Sequence, residues 1–318
     1  MSTFTANGKL LLTGEYLVLK GALALALPTK IGQTLTIQPY AALRHCEGGT
    51  TEATQPDPKL LYWTAHHPSG PWFSATLSPD TLEVLTTDSP AKAEKLSHIL
   101  KAVRELNPKA FESGLRFETH LGFDPAWGLG SSSTLLSLLA QWDEVNPYEL
   151  LRNTFGGSGY DIACATAIQP IYYQLVDGHP QSCPAPFQPP FADRLFFVYQ
   201  GKKQHSSDEV KAFNKHWDQA DLTTELMTIS ELSRALPSIT YFEDFCTLLQ
   251  VHENLLSRCL DRPLVQQQFP DFKGTLKSLG AWGGDFLLAA TELSFEEVTT
   301  YFKQHGLDTV IRYHDIIL

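Results

Sequence analysis

The sequence predicts an α+β protein of two lobes. Three features carry that expectation: a meander of short strands through Gln38, a strand, glycine-rich loop and helix in succession between Leu115 and Trp142, and a Pro-rich stretch from Pro180 to Pro190, beyond which a helical region gives way to strand, helix and strand. The lobe boundary is expected in that stretch, dividing the chain into 1–185 and 186–318.

The elements follow in order. Lys9 to Leu12, Ala22 to Leu27 and Gln33 to Gln38 are apolar or alternating runs punctuated by Gly14, Gly21, Pro28 and Gly32, and read as strands. Glu47 to Pro58 is polar and rich in Pro and Gly, hence an exposed loop, and aromatic strands are expected at Leu60 to Ala65 and Trp72 to Leu77. Ala93, Leu96, Ile99, Leu100 and Val103 have helical spacing within Pro90 to Leu106. Leu115 to Phe123 is strand-like and Ser133 to Trp142 is an apolar helix. After the boundary come a strand at Leu195 to Tyr199 and a largely helical region from Ser207 to Leu279. The chain closes with strand, helix and strand around Asp285 to Leu288, Phe295 to Gln304 and Thr309 to Tyr313.

Composition narrows the function. At 318 residues, 43% hydrophobic and 19% charged, the chain can bury one large core or two linked ones. Twenty-four Lys plus Arg against 35 Asp plus Glu give a net charge of −11, which argues against a broad surface for nucleic acid or anionic membrane. An anionic ligand must then be held by a local site. Five cysteines form no C-x-x-C pair, so neither a disulfide framework nor a zinc ribbon is expected, and a cytoplasmic setting fits. No signal peptide or membrane span is legible, since the apolar window Leu17 to Leu27 holds Lys20 and Gly21 and stops at Pro28. The histidines, His66 and His67 among them, show no metal-ligand spacing, and Tyr62, Trp63 and Trp72 read as packing rather than as a stacking platform.

One segment carries chemistry by itself. In Pro125-Ala-Trp-Gly128-Leu129-Gly130-Ser131-Ser132-Ser133, two glycines let the backbone approach a phosphate, and successive N–H groups meet the positive end of the following helix. It lacks the Gly-Lys-Ser/Thr ending of a Walker A loop and fails the dinucleotide G-x-G-x-x-G pattern at Ser133. A Ser-capped helix after a glycine turn accounts equally well for the segment in isolation.

Pro-x-x-Gly-Leu-Gly-Ser-Ser-Ser resembles the second motif of the GHMP kinases, the superfamily of galactokinase, homoserine kinase, mevalonate kinase and phosphomevalonate kinase. Ala6-Asn7-Gly8-Lys9 through Gly14-Glu15-Tyr16-Leu17-Val18-Leu19 is similar to the first motif, with Asn7 where proline is usual, and is nearest to the phosphomevalonate kinase form. Gly280-Ala281-Trp282-Gly283-Gly284-Asp285 resembles the third, with Trp282 where glycine is expected. Gly156-Gly-Ser158-Gly159-Tyr160-Asp161-Ile-Ala163 resembles the stretch whose aspartate serves as base in mevalonate and phosphomevalonate kinases, in a form shared with a bacterial Gly-Tyr-Asp-Ile-Ala subfamily.

The resemblance implies a two-lobed GHMP kinase fold, with an N-terminal lobe like ribosomal protein S5 and a ferredoxin-like C-terminal lobe. It also implies Mg-ATP as cosubstrate and a small acidic alcohol as acceptor. Mevalonate or phosphomevalonate comes first, in isoprenoid precursor synthesis; the alternatives are homoserine or a sugar, a mevalonate-branch decarboxylase, or an inactive nucleotide- or metabolite-binding relative. Asp161 takes the place of the base and Lys9 that of its cationic partner. Gly128 to Ser133 with Gly283 and Gly284 would cradle the phosphates. Glu15, Tyr16, Ser158, Gly159, Lys202, Ser206 and Asp285 would meet the acceptor, the Gly201-Lys202-Lys203-Gln-His205-Ser206 segment reading equally as a charged loop that caps a helix. Ser132 and Glu149 are candidate Mg²⁺ ligands, although Glu149 also reads as a solvated helix residue. No nucleic acid or membrane partner is expected, and the protein would act as a monomer or homodimer.

Overall fold

A computed structural model describes residues 1–39, 57–202, 213, 222–280, 282 and 284–318. Its strands are β1 (Ser2–Thr13), β2 (Ala24–Pro39), β3 (Leu61–His67), β4 (Gly70–Leu77), β5 (Val84–Thr87), β6 (Leu115–Leu121), β7 (Ile171–Val176), β8 (His179–Pro184), β9 (Leu195–Tyr199), β10 (Thr275–Ser278), β11 (Phe286–Ala290) and β12 (Val310–Arg312). Its helices are α1 (Pro90–Leu106), α2 (Ser131–Asp143), α3 (Pro147–Thr154), α4 (Tyr160–Thr166), α5 (Thr223–Ala235), α6 (Phe242–Leu260), α7 (Phe295–Gln304) and α8 (Tyr313–Ile316). The fold is α+β with two sheets.

The chain forms two compact units, each built from several segments. The first comprises 1–6, 32–125 and 131–156. Here β5, β4, β3, β6 and the C-terminal half of β2 lie side by side, with β3 and β6 parallel. Along β6, Phe117, Thr119 and Leu121 are buried while Arg116, Glu118 and His120 are not, the period-two pattern of a sheet with one covered face. Helices α1, α2 and α3 pack on one another, and Trp63 stacks on Phe117 with centroids 5.2 Å apart. Trp63 is core, as its apolar strand implied.

The second unit comprises 7–31, 126–130 and 157–318. The N-terminal half of β2 pairs with β7, which forms a hairpin with β8. A second, antiparallel sheet has the order β10-β11-β9-β12. Phe196, Val198, Leu287 and Ala289 of that sheet bury against Val298 and Phe302 of α7, whose Ser294–Glu297 capping box fixes its start.

Three boundaries differ from expectation. The strands foreseen at Ala22 to Leu27 and Gln33 to Gln38 are one strand, β2, because pairing with β7 ends at Ala26 and pairing with β6 begins at Gln33. Pro28 falls between the β7 and β6 ladders. Strand β8 occupies the start of the Pro-rich stretch. Strand β10 lies inside the region expected to be helical; its Lys277 hid a segment buried at every position.

Candidate active site

Lys9 projects from β1 and Asp161 from the first turn of α4, both in the second unit. Asn7 ties the two elements: its Nδ2 donates to the carbonyl of Ala167, the residue that ends α4, at 2.7 Å. A proline at this position would have no such donor. Behind α4, Cys164 packs with Leu11, Val18, Ala24, Ala26, Ile171 and Tyr173 in a buried cluster. Tyr173 donates to the Ser158 carbonyl, and Gly159, at φ 85°, turns the chain into α4.

The glycine loop lies directly on these side chains. The Lys9 N–H donates to the Leu129 carbonyl at 3.1 Å. Gly130 has φ 93°, and a Cβ there would stand 3.3 Å from Cγ of Lys9. Gly128 has φ 68°, and a Cβ there would overlap the Asp285 carboxylate. The left-handed backbone favours glycine at both positions, and at Gly128 the close approach of Asp285 adds to it. The loop is anchored by Tyr199, whose hydroxyl donates to the Ala126 carbonyl at 3.1 Å, and by Trp127 set edge-on to Phe286 at 5.8 Å.

Asp285 completes the group from the start of β11. It is 6% exposed and sits at φ 52°, a left-handed conformation that Asp tolerates better than most residues. Its N–H donates to the Lys202 carbonyl and its carbonyl accepts from Gln200 N–H, both at 2.8 Å. The exit of β9 is thereby fixed beside Asp285, with the Lys202 side chain exposed. Lys203, Ser206 and Gly283 lie outside the described residues.

Electrostatics favour a permanent cation at Lys9. Burial works against its charge, but Tyr160, Asp285 and Asp161 outweigh that effect and hold the ammonium well above the usual lysine range. The Lys9 Nζ lies 5.5 Å from the centroid of the Tyr160 ring. Burial pushes the Tyr160 phenol up to about 12 even with Lys9 beside it, so the hydroxyl stays protonated. Tyr160 had no role in the sequence reading, although it stands between Gly159 and Asp161.

Other expected residues lie elsewhere. Ser131, Ser132 and Ser133 form the first turn of α2, which follows Gly130 without a break; Ser132 is exposed and Ser133 buried. Glu149 is exposed on the first turn of α3 beneath its Asn146 cap, and belongs to no group of three or more His, Cys, Asp or Glu ligands among the described residues. Glu15 is 1% exposed and ion-paired with Lys277, itself 0% exposed, so its carboxylate faces an interior cation. Tyr16 is buried as well, its hydroxyl accepting from the Trp282 N–H at 3.0 Å. Trp282 does not narrow a phosphate loop; it is 4% exposed in a core cluster with Tyr16, Leu17, Leu256 and Cys259, and its Nε1 donates to the Pro263 carbonyl at 3.3 Å.

No family model and no curated protein sequence matches this chain. Solved structures do. The chain is similar to the mevalonate kinase of Methanococcus jannaschii, with 16% identity over 98% of this chain and 96% of that one and a TM-score of 0.65. It is similar to the phosphomevalonate kinase of Streptococcus pneumoniae in complex with phosphomevalonate and AMPPNP, with 18% identity over 98% and 100% and a TM-score of 0.67. It is also similar to the galactokinase of Lactococcus lactis complexed with galactose, with 13% identity over 96% and 88% and a TM-score of 0.59. These are GHMP kinases, and this chain has their fold.

Proposed function

We propose that the protein is an ATP-dependent kinase that transfers the γ-phosphate to a small acidic alcohol, mevalonate or phosphomevalonate before any other. The observation that carries this reading is the approach of Lys9 and Asp285 to the loop Gly128 to Gly130, with Asp161 acting on the same lysine, so that separate sequence motifs meet at Lys9. A relative that had lost phosphoryl transfer would have no need for a cation retained among carboxylates at a glycine loop. The structural likeness to kinases solved with mevalonate-type ligands and with an ATP analogue supports the same reading.

In this mechanism Asp161 accepts the proton of the acceptor hydroxyl, or polarises its O–H bond, as the hydroxyl oxygen attacks the γ-phosphorus of ATP and the bond to the β,γ-bridging oxygen breaks to release ADP. Lys9, cationic throughout, neutralises charge that builds on the transferring oxygens, and the amides of the loop and the first turn of α2 hold the remaining phosphate oxygens. Tyr160 positions the Lys9 ammonium. Bound together with ATP, Mg²⁺ would supply charge neutralisation at the phosphates. Ser132 and Glu149, both exposed, are the chain's candidate oxygens for it, in keeping with an ion that takes few protein ligands and keeps its phosphates and waters. Lys202, set beside Asp285 through its backbone, would face the acid group of the acceptor together with Ser206, while Ser158 and Gly159 contribute through the backbone that positions α4.

The test is product analysis with Mg-ATP and a panel of mevalonate, phosphomevalonate, diphosphomevalonate, homoserine and galactose. Stoichiometric ADP and a phosphorylated product with mevalonate or phosphomevalonate are expected. Decarboxylation of diphosphomevalonate, or no acceptor-dependent ADP with any compound, would overturn the assignment.

A further inference from the structure

The face of the first unit's sheet opposite its helices carries a second constellation. Glu118 and His120 are two apart on β6 and so point to the same side, away from the buried Phe117, Thr119 and Leu121. His66 on β3 is the register partner of His120 across the parallel pair. The ladder between β3 and β4 shifts between Ala65 and His66, the kind of irregularity that re-aims a side chain. The two imidazoles stack, with centroids 4.6 Å apart and planes 12° from parallel, which turns both Nε2 atoms to the same carboxylate oxygen. His120 Nε2 is 2.9 Å and His66 Nε2 3.6 Å from Glu118 Oε1, and one ligand atom from each residue lies within 4.8 Å of the others.

We propose that His66, Glu118 and His120 form a zinc site with at least one coordination position open to solvent. Tetrahedral Zn²⁺ holds imidazole and carboxylate ligands at roughly 2.0–2.2 Å, which requires ligand atoms about 3.3–3.5 Å apart. The separations of the two Nε2 atoms from the Glu118 oxygen, 2.9 and 3.6 Å, bracket that distance, so side-chain rotations would bring the three ligands onto one ion. Two neutral imidazoles and one carboxylate suit Zn²⁺ among divalent ions, whereas Mg²⁺ and Ca²⁺ prefer oxygen. Both strands are interior to the sheet, β4 flanking β3 and β2 flanking β6, so the backbone holds the ligands in place before metal arrives. The side chains are 28%, 44% and 55% exposed for His66, Glu118 and His120, leaving a path for the ion and for a bound water.

The experiment is calorimetric titration of metal-free, untagged, full-length protein with Zn²⁺, in a Cys183→Ser background that removes an exposed thiol. One equivalent should bind. His66→Ala, Glu118→Gln and His120→Ala should each weaken binding on the order of 100-fold, because losing a ligand costs at least as much as losing its outer-shell support. His98→Ala, an exposed histidine on α1, should leave it unchanged. Zn²⁺ should raise the thermal midpoint of the parent and leave that of His120→Ala unmoved, and Co²⁺ should give a tetrahedral visible spectrum that the ligand variants lose. Circular dichroism checks folding, and should His66→Ala fail to fold, Glu118→Gln and His120→Ala decide the question. Absence of one-equivalent binding, or binding indifferent to all three substitutions, would overturn the site and leave a hydrogen-bonded His–Glu–His cluster.

Discussion

Trp282 shows how a single side chain changes meaning once its surroundings are known. It stands in a glycine-rich motif where an indole would be expected to crowd a phosphate, yet it fills a core cluster with Leu17, Leu256 and Cys259. Trp282→Gly should therefore cost about 3–5 kcal/mol of stability, the usual range for truncating a large buried aromatic. Chemical denaturation measures this directly; undiminished stability combined with altered Michaelis constants would return Trp282 to the phosphate site. Asn7 is the opposite case, a departure from the usual proline that supplies a hydrogen bond from β1 to the end of α4. Asp161 and Lys9 were legible because a short motif names them, whereas Tyr160 was not, because an aromatic beside an aspartate carries no signal until the lysine is seen over its ring.

At the scale of elements, an interior network joins the end of β1, α6 and β10. Lys277 of β10 donates to Glu15 and to the Ser278 carbonyl, and Glu253 of α6 accepts from Ser278 N–H and Oγ. His252 takes the Gly14 N–H on its Nε2 at 3.1 Å, and burial keeps the ring neutral, so its 3.4 Å approach to Glu15 is not an ion pair. One buried lysine thus serves two carboxylates. Burial pushes Glu15 up to about 7 against the pull of Lys277, and moves Glu253 upward as well. Because the folded state keeps a proton that the unfolded chain releases, stability should fall as pH rises from about 4.5 to about 7. Denaturation at about pH 5 and about pH 8 tests this, and Glu15→Gln should flatten that part of the curve. Lys277→Met should cost about 3–5 kcal/mol near neutral pH, since it strands two buried carboxylates. A pH-independent parent, or a harmless Lys277→Met, would contradict the account. None of this was legible in the sequence, where Lys277 looked like a polar residue in a helical region. The same limit hid His66 beside His120: strand register, not spacing along the chain, brings them together.

For the molecule as a whole, alternation, helix spacing and Pro and Gly punctuation sufficed for the α+β class and for helices such as α1 and α7 at their true limits. They did not suffice for β2, whose continuity across Pro28 depends on which neighbours it pairs with. The candidate site depends on the same long-range assembly, since Lys9, the loop at Gly128, Asp161 and Asp285 are distant in sequence and meet only in the fold. The central claim is that this meeting performs phosphoryl transfer. Its most direct test is steady-state kcat of Asp161→Asn on the acceptor identified by product analysis, with ATP affinity measured by calorimetry in parallel. Asp161→Asn should fold and bind ATP while losing roughly a hundredfold or more in kcat. Lys9→Met should be comparably severe, and the double variant less impaired than the product of the two losses, as for groups that act as one unit. Near wild-type turnover by Asp161→Asn would contradict the account and remove Asp161 from the chemistry.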